Sequence, residues 1–293
     1  MIEKKVPLSY YTTIKIGGVA DYMAFPHTYE EVYHLLMWAK EKDLPVFFLG
    51  RGANTIFGDI KGVVINTKNL NRMKVKEEED KVIVIAQCGV PLSQVVKLGV
   101  ELNLEGIYRL AGFPASVGGA VAMNAGAFGF EVSKALKEVL FLDWEGNVER
   151  VSRKDLEFSY RKSPFPERGM VLEAVFEFKK AKESVKEEYE RIKNKRKATQ
   201  PINMPTCGST FKNPEGNYAG YLLEKVGMKG YKVGGVAFSN LHANFLINLG
   251  KGSIDDVYKI LEEAKRRVYE EFGIKLEEEV RIIESGSPYG RKV

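Results

Sequence analysis

Helical and extended patterns of apolar residues alternate along the first 180 residues of the chain. Segment 30–44 repeats apolar side chains between Val32 and Ala39 at the three- and four-residue spacing of an amphipathic helix. Segment 91–104 predicts a second helix, which begins at Pro91, a residue favoured in the first helical turn.

Short apolar runs around these helices predict strands, because runs of this length bounded by turn residues are typical of buried strands. The predicted strands are 46–49, 62–70, 81–90 and 169–180, with an acidic turn at 76–80, and segment 139–152 predicts a hairpin that turns at Glu145, Gly146 and Asn147.

The pattern changes near residue 180, where a long polar segment predicts a helix over 180–199. Pro201 and Pro205 then interrupt the helical pattern, which makes this region the best candidate domain boundary. Beyond it the pattern predicts a helix over 219–227, a strand over 243–250 and a helix capped by Ser253 and Gly273. An edge strand is predicted over 276–284, with Glu279, Glu277 and Arg281 on one solvated face. The whole pattern indicates an α+β protein with a smaller C-terminal unit.

Composition narrows the functional classes only a little. The chain has 293 residues, and 44 basic against 39 acidic residues give a net charge of +5, a mild excess that would suit an anionic small ligand. No apolar run reaches the roughly 18–20 residues of a membrane span, and the first residues lack a signal-peptide pattern. Cys88 and Cys207 show no metal-ligand spacing, so we expect a cytoplasmic protein without a metal.

The densest basic run, residues 191–197, raises a nucleic-acid interpretation. It completes a helix of mixed charge and has no interleaved aromatic residues, so we predict a solvated helix face instead.

Two glycine-rich segments carry the strongest candidate chemistry. Segment 50–55 follows a predicted strand, and segment 110–129 contains five glycines and no charged residue. Glycine permits positive φ and a close approach of backbone N–H groups to an anion, so the pair suits a long cofactor with two phosphates. A tight turn explains the first segment equally well, and close packing of a helix on a sheet is the alternative for the second.

Polar residues later in the chain are candidates for a reaction site. Arg161 supplies a fixed cation with planar donors, and Ser209 follows a glycine and could donate a proton. A Ser-His-Asp hydrolase is poorly supported, because the chain has only three histidines and no Gly-x-Ser-x-Gly motif. Taken singly, a surface salt bridge for Arg161 and a loop position for Ser209 are the commoner outcomes.

The order of seven motifs is more informative than any one of them. They are TTIKIGG (12–18), LGRGANTIF (49–57), GFPASVGGAVAMNAGAFG (112–129), YRKSPF (160–165), CGSTFKNP (207–214), HANFLIN (242–248) and LEEEVR (276–281). Together, over residues 8–284, they resemble the UDP-N-acetylenolpyruvoylglucosamine reductase family, in its compact form.

The resemblance implies a fold and a domain organisation. The fold would be α+β, with an FAD-binding half of the PCMH/vanillyl-alcohol-oxidase type over residues 1–180, in two lobes of about 1–67 and 68–180. A helical connection over 181–200 would lead to a smaller α+β substrate-binding domain over 201–293.

The resemblance also implies the activity, which is NADPH-dependent reduction of UDP-N-acetylglucosamine enolpyruvate to UDP-N-acetylmuramate through FAD, in bacterial cell-wall synthesis and hence in cell shape and division. Ser209 would donate a proton, while Arg161 and Glu279 would stabilise developing negative charge. Tyr160, Asn213 and His242 would contact the substrate. The FAD-binding residues would be Gly50, Arg51, Gly52, Ala53, Asn54, Thr55, Pro114, Ala115, Ser116, Gly118, Gly119, Ala120, Asn124 and Gly126.

The chain departs from the family pattern at two places. Ala115 and Ser116 stand where the family more often has Gly-Thr, and Leu241 stands where it often has Lys, which removes a possible cation near the substrate phosphates.

The alternative functions are an FAD-dependent alcohol or sugar oxidase of the same flavin-binding fold and a nucleotide-sugar-binding protein without catalysis. The first glycine segment has no His for covalent flavin attachment, which counts against many such oxidases. We expect a monomer that binds neither nucleic acid nor membrane.

Overall fold

The computed structural model describes residues 2–286 and 290–292. Its strands are β1 (Ile2–Pro7), β2 (Val19–Ala24), β3 (Pro45–Leu49), β4 (Thr55–Phe57), β5 (Ile60–Asn66), β6 (Met73–Glu77), β7 (Lys81–Gln87), β8 (Gly126–Ala127), β9 (Phe130–Glu131), β10 (Leu136–Asp143), β11 (Val148–Ser152), β12 (Gly169–Lys179), β13 (Thr206–Ser209), β14 (Lys232–Val233), β15 (Val236–Phe238), β16 (Phe245–Asn248), β17 (Arg281–Ile283) and β18 (Arg291–Lys292). Its α-helices are α1 (Tyr29–Glu41), α2 (Leu92–Glu101), α3 (Val117–Ala122), α4 (Phe165–Arg168), α5 (Lys186–Thr199), α6 (Ala219–Lys225) and α7 (Ile254–Phe272).

The first sheet is mixed and has the strand order β1-β2-β5-β3-β18. Strands β2 and β3 both pair with β5 in parallel, and β1 and β18 close the two edges in antiparallel pairing. All but one residue of the central strand β5 are buried, as expected for a strand with both faces covered. Strand β3 of this sheet leads directly into the first glycine-rich segment.

The second sheet is antiparallel, with the order β11-β10-β12-β7-β6. Its long strand β12 lies in the centre, and the predicted hairpin is confirmed as β10 and β11 joined at residues 144–147. Helix α3 packs on this sheet, which places the second glycine-rich segment opposite the first.

The third sheet, β13-β16-β15-β14, belongs to the C-terminal part of the chain and carries α6 and α7. Both predicted caps of α7 are confirmed. Ser253 and Asp256 form a reciprocal capping box, and Gly273 ends the helix with φ of +68°.

The N- and C-terminal parts of the chain share their cores. Ile14, Ile16 and Ile56 pack into the C-terminal core, while Ile283 packs into the core of the first sheet. Strand β17 pairs in parallel with β4, next to the first glycine-rich segment. The chain therefore returns to its N-terminal half just after Glu279. The domain boundaries proposed from the sequence stay predictions.

Three predicted elements need correction. Helix α5 begins at Lys186, because Lys180 pairs with Leu104 in an isolated bridge. No strand is predicted over β6, and only its last two residues fall in the predicted turn at 76–80. The edge strand predicted over 276–284 shrinks to β17, so Glu277 and Glu279 do not share a strand face; their side chains are 73% and 15% exposed.

Candidate active site

The first glycine-rich segment is a loop whose glycines are packed against the protein. Gly52 has φ of +63°, and a Cβ there would lie 2.1 Å from the Tyr11 carbonyl oxygen. A Cβ on Gly50 would lie 2.3 Å from the Ser116 Oγ, so the two glycine-rich segments touch at this point. The tight-turn interpretation of the segment therefore fits the structure, and the anion-binding interpretation stays a prediction.

The second segment contains α3, and two adjacent glycines at the start of this helix have different surroundings. A Cβ on Gly118 would meet the Cys88 Cβ at 2.6 Å, so this glycine allows α3 to approach β7. A Cβ on Gly119 would find only the Ser116 Oγ within 4 Å, at 3.2 Å. Gly118 therefore fits the packing interpretation, although it also lines the cleft described below, whereas Gly119 leaves space for a ligand.

Two adjoining cavities, of about 110 and 320 Å³, open between the two glycine-rich segments. Gly50 and Thr67 line both, so the cavities form a continuous cleft. The smaller one has aromatic walls from Phe48, Trp144 and Phe165, and the larger one carries the positive charges of Arg51 and Lys68. An aromatic end and a cationic end suit a ligand that has a ring system joined to phosphates, so the cleft fits a dinucleotide such as FAD.

Five of the predicted cofactor residues line this cleft, namely Gly50, Arg51, Ser116, Gly118 and Gly119. The lining of the two cavities does not include Gly52, Ala53, Asn54, Thr55, Pro114, Ala115, Ala120, Asn124 and Gly126. Sequence reasoning missed Thr67, Lys68, Cys88 and Trp144, which directly follow strands β5, β7 and β10, and Phe165, which begins α4.

Asn124 and Asn54 use their side chains inside the protein. The fully buried Asn124 donates to the Ser159 carbonyl at 2.8 Å and has φ of +44°. Asn54 donates from Nδ2 to the Glu279 carbonyl at 3.0 Å, and the Arg281 N–H donates to the Asn54 carbonyl at 3.0 Å. Both amides therefore position neighbouring segments.

Arg161 and Glu279, 118 residues apart in the chain, form a partly buried ion pair. Arg161 Nε lies 2.8 Å from Glu279 Oε1, and its Nη2 donates to the Gly126 carbonyl at 2.8 Å. Burial raises the pKa of the Glu279 carboxyl, and the positive charge of Arg161 opposes that rise. The backbone of Arg161 has φ of +54°, an uncommon value for a residue with a side chain, so the surroundings hold it in place.

Ser209 lies at the end of β13, beside the segment that carries Glu279. The Glu279 N–H donates to the carbonyl of the next residue, Thr210, at 2.8 Å. Thr13 ties the same strand to the first glycine-rich segment, because its Oγ1 donates to the Thr206 carbonyl at 2.6 Å and its N–H donates to the Gly52 carbonyl at 3.0 Å. Ser209, Glu279 and the glycine loop are thus fixed relative to one another.

The predicted substrate residues lie around this group. The Arg161 guanidinium lies 4.9 Å from the centre of the Tyr160 ring, and the Asn213 N–H donates to the Tyr160 hydroxyl at 3.3 Å. His242 accepts a hydrogen bond from the Asn244 N–H at 3.2 Å. Burial, together with the positive charge of Lys229, lowers the pKa of His242.

Comparison with known proteins shows which family the chain belongs to. A relative from Aquifex aeolicus named UDP-N-acetylenolpyruvoylglucosamine reductase is 54% identical over 290 residues, which cover 99% of this chain and 98% of the relative. The chain belongs to the UDP-N-acetylenolpyruvoylglucosamine reductase family. The relative of the same name from Clostridium novyi is 39% identical over 286 residues, covering 96% of this chain and 92% of that protein.

Structure and family models agree with this reductase membership. The crystal structure of the UDP-N-acetylenolpyruvylglucosamine reductase from Thermus caldophilus superposes with a TM-score of 0.80 and 31% identity, covering 96% of this chain and 98% of that one. Models of the FAD binding domain and of the reductase C-terminal domain match residues 20–152 and 200–283. The predicted fold class is confirmed.

Two further observations concern the reductase chain as a whole. Among residues 2–286 and 290–292, no helix is both long and apolar enough to cross a membrane. The His, Cys, Asp and Glu side chains in that same part of the chain form no group of three that could hold a metal ion.

Proposed function

We propose that this protein reduces UDP-N-acetylglucosamine enolpyruvate to UDP-N-acetylmuramate, using NADPH and FAD, in peptidoglycan precursor synthesis. Membership of the reductase family supports this reaction over the alternative of an alcohol or sugar oxidase. The observation that carries the proposal is the Arg161–Glu279 pair, which lies beside the Ser209 strand and is tied to a glycine loop of the cleft.

FAD is expected in the cleft between the two glycine-rich segments. When bound, it supplies hydride transfer from NADPH to the enolpyruvyl group. Gly119 would let the backbone approach it, and Arg51 and Lys68 would supply positive charge for its phosphates. Cys88 stays an uncharged thiol behind Gly118, since burial raises its pKa to about 12.

Arg161 would prepare the substrate for reduction. An enol ether conjugated to a carboxylate is a poor electrophile until the carboxylate charge is neutralised, and a guanidinium offers two parallel donors to such a group. As the hydride reaches the terminal carbon, negative charge moves to the adjacent carbon and the carboxylate. Arg161 and a protonated Glu279 would stabilise that charge.

Ser209 would complete the reaction by giving its hydroxyl proton to the carbon next to the carboxylate. A serine hydroxyl is a weak acid, and an enolate-like carbanion is a base strong enough to take its proton. Hydride and proton together saturate the double bond, and the serine oxygen regains a proton from solvent. Tyr160, Asn213 and His242 would hold the nucleotide sugar, and Lys229 would supply a cation in the region where Leu241 lacks one.

An anaerobic absorbance experiment on the purified protein tests this function. NADPH should bleach the flavin absorbance, and UDP-N-acetylglucosamine enolpyruvate should restore it rapidly without oxygen. Recovery only when oxygen enters would favour the oxidase. A colourless protein that binds no added FAD would contradict the flavoenzyme assignment.

The cellular setting is part of the same proposal. Because the reaction supplies a peptidoglycan precursor, we expect a cytoplasmic enzyme, acting as a monomer, whose loss affects cell shape and division. We also propose that residues 1–180 bind FAD in two lobes and residues 201–293 bind the substrate, with residues 181–200 connecting them.

A further inference from the structure

The last turn of helix α5 holds a guanidinium without an anionic partner among the described residues. Arg196 belongs to the basic run that the sequence predicts to be solvated, but its Nε is buried and makes no hydrogen bond to any part of the chain that the structure describes. Its guanidinium lies over the Phe113 ring, 4.5 Å from the ring centre. The solvated-face prediction is therefore wrong at this position.

A second buried polar atom lies one helical turn away. The Oε1 of Gln200 also lacks a hydrogen-bond partner among the residues described. The Gln200 N–H donates to the Arg196 carbonyl at 2.9 Å, which holds the two residues together. The described part of the chain therefore satisfies neither the Nε of Arg196 nor the Oε1 of Gln200.

These two residues adjoin the second glycine-rich segment. A Cβ on Gly112 would lie 3.3 Å from the Arg196 Nε, and Gly112 has φ of +80°, so only a glycine fits easily here. The stacked ring of Phe113 belongs to the same loop, which runs directly into Ser116 at the wall of the larger cavity. Arg196 therefore flanks the loop that the reductase resemblance assigns to the cofactor.

A buried donor left without a hydrogen-bond partner destabilises the folded protein, and a buried cation does so more than a neutral group. The Phe113 ring faces the guanidinium, but no carboxylate among the described residues pairs with it, and burial lowers the pKa of Arg196 to about 10. A planar guanidinium is most strongly satisfied by the paired oxygens of a phosphate or carboxylate. The missing partner is therefore an anionic group that the chain does not provide.

We propose that Arg196 and Gln200 form a subsite for a phosphate-bearing nucleotide, in which Arg196 donates to a phosphate oxygen and Gln200 accepts from a sugar hydroxyl. The proposal rests on the function proposed above, in which three ligands carry this chemistry: FAD, NADPH and the UDP-sugar. The position beside the 112–116 loop favours FAD as the source.

The test compares Arg196→Gln with Lys197→Gln, which removes the same charge from an exposed position on the same helix. Three measurements on the holoenzyme separate the sources: fluorescence of FAD released on dilution, KM for NADPH, and binding of UDP-N-acetylglucosamine enolpyruvate followed by flavin absorbance. We expect Arg196→Gln to weaken one ligand at least about tenfold, and Lys197→Gln to change each less than about twofold. Arg196→Lys, which keeps the charge but loses the planar fork, should recover part of the loss.

A structural role predicts a different pattern. If Arg196→Gln lowers the melting temperature equally with and without ligands, or prevents folding, the residue serves packing and the subsite is wrong. Unchanged binding in all three measurements also overturns it, because water then satisfies the two atoms. Failure of the function proposal itself would appear earlier, as wild-type protein that holds no flavin or does not turn over.

Discussion

The side-chain amide of Asn54 donates a hydrogen bond to the backbone carbonyl of Glu279, with 3.0 Å between Nδ2 and the oxygen. This bond joins a glycine loop beside the cleft to the backbone of the residue whose carboxyl group pairs with Arg161. The family resemblance places Asn54 at the cofactor, whereas its side chain in the structure holds a neighbouring segment in place.

Asn54→Ala should therefore lower kcat more than it lowers FAD content. Loss of one such hydrogen bond costs about 1 kcal/mol, which corresponds to about a fivefold decrease in kcat if Glu279 loses its position. Steady-state kinetics and flavin-to-protein ratios measure the two effects. Asn69→Ala is a matched control, because Asn69 donates to the Phe25 carbonyl at 3.2 Å, away from the ion pair. Flavin loss with unchanged kcat would instead support direct cofactor binding by Asn54.

Ser209→Ala should separate the two half-reactions. Flavin reduction by NADPH needs no proton from Ser209 and should proceed at the wild-type rate, while turnover should fall by about 10²–10³ or more. Stopped-flow absorbance follows both steps, and Ser184→Ala, at an exposed site, provides the control. Turnover at the wild-type rate in Ser209→Ala would show that another group donates the proton.

Neighbouring glycines should fail in different ways. Gly118→Ala places a Cβ against the Cys88 Cβ, so we expect about 1–3 kcal/mol less stability in thermal or denaturant unfolding. Gly119→Ala meets only the Ser116 hydroxyl, at 3.2 Å, and should leave folding intact, but its methyl group projects toward the cleft and should weaken FAD binding about tenfold. Equal flavin affinity in Gly119→Ala and wild type would show that the ligand does not approach this residue.

Substrate binding to the oxidised enzyme should be accompanied by uptake of about one proton by Glu279. Burial already raises the pKa of this carboxyl, and the arriving substrate carboxylate raises it further. Below the pKa of the free enzyme Glu279 is already protonated, so uptake should be small there, should be largest between that pKa and the higher pKa of the complex, and should fall again above it. A pH indicator in weak buffer, without NADPH, measures the uptake.

Glu279→Gln is the control for this measurement, because it keeps the shape of the side chain and cannot titrate. Uptake that persists unchanged in Glu279→Gln would assign the proton to another group. The raised pKa also affects stability: Glu279 favours the folded state most below its unfolded pKa, and this contribution is lost as the pH rises through the folded pKa.

The sequence by itself determined the elements whose signals are local. Ser253 and Gly273 define the two ends of α7, because caps depend on residues within one turn of the helix end. The hairpin of β10 and β11 and the helix after Pro91 follow for the same reason. The ordered motifs also indicated the family.

Tertiary structure alone decided which partners those residues have. Glu279 looks like a solvated charge on an edge strand, but Arg161, 118 residues away, and burial against β13 and the glycine loop make it part of an ion pair. Gly118 and Gly119 are the same residue type in the sequence. Only the position of Cys88 in the structure shows that Gly118 is packed against the protein while Gly119 has open space beside it. The pattern of charges along α5 likewise gives no sign that the Nε of Arg196 is buried. Burial and partnership depend on which distant segments pack together, and local spacing carries no information about that.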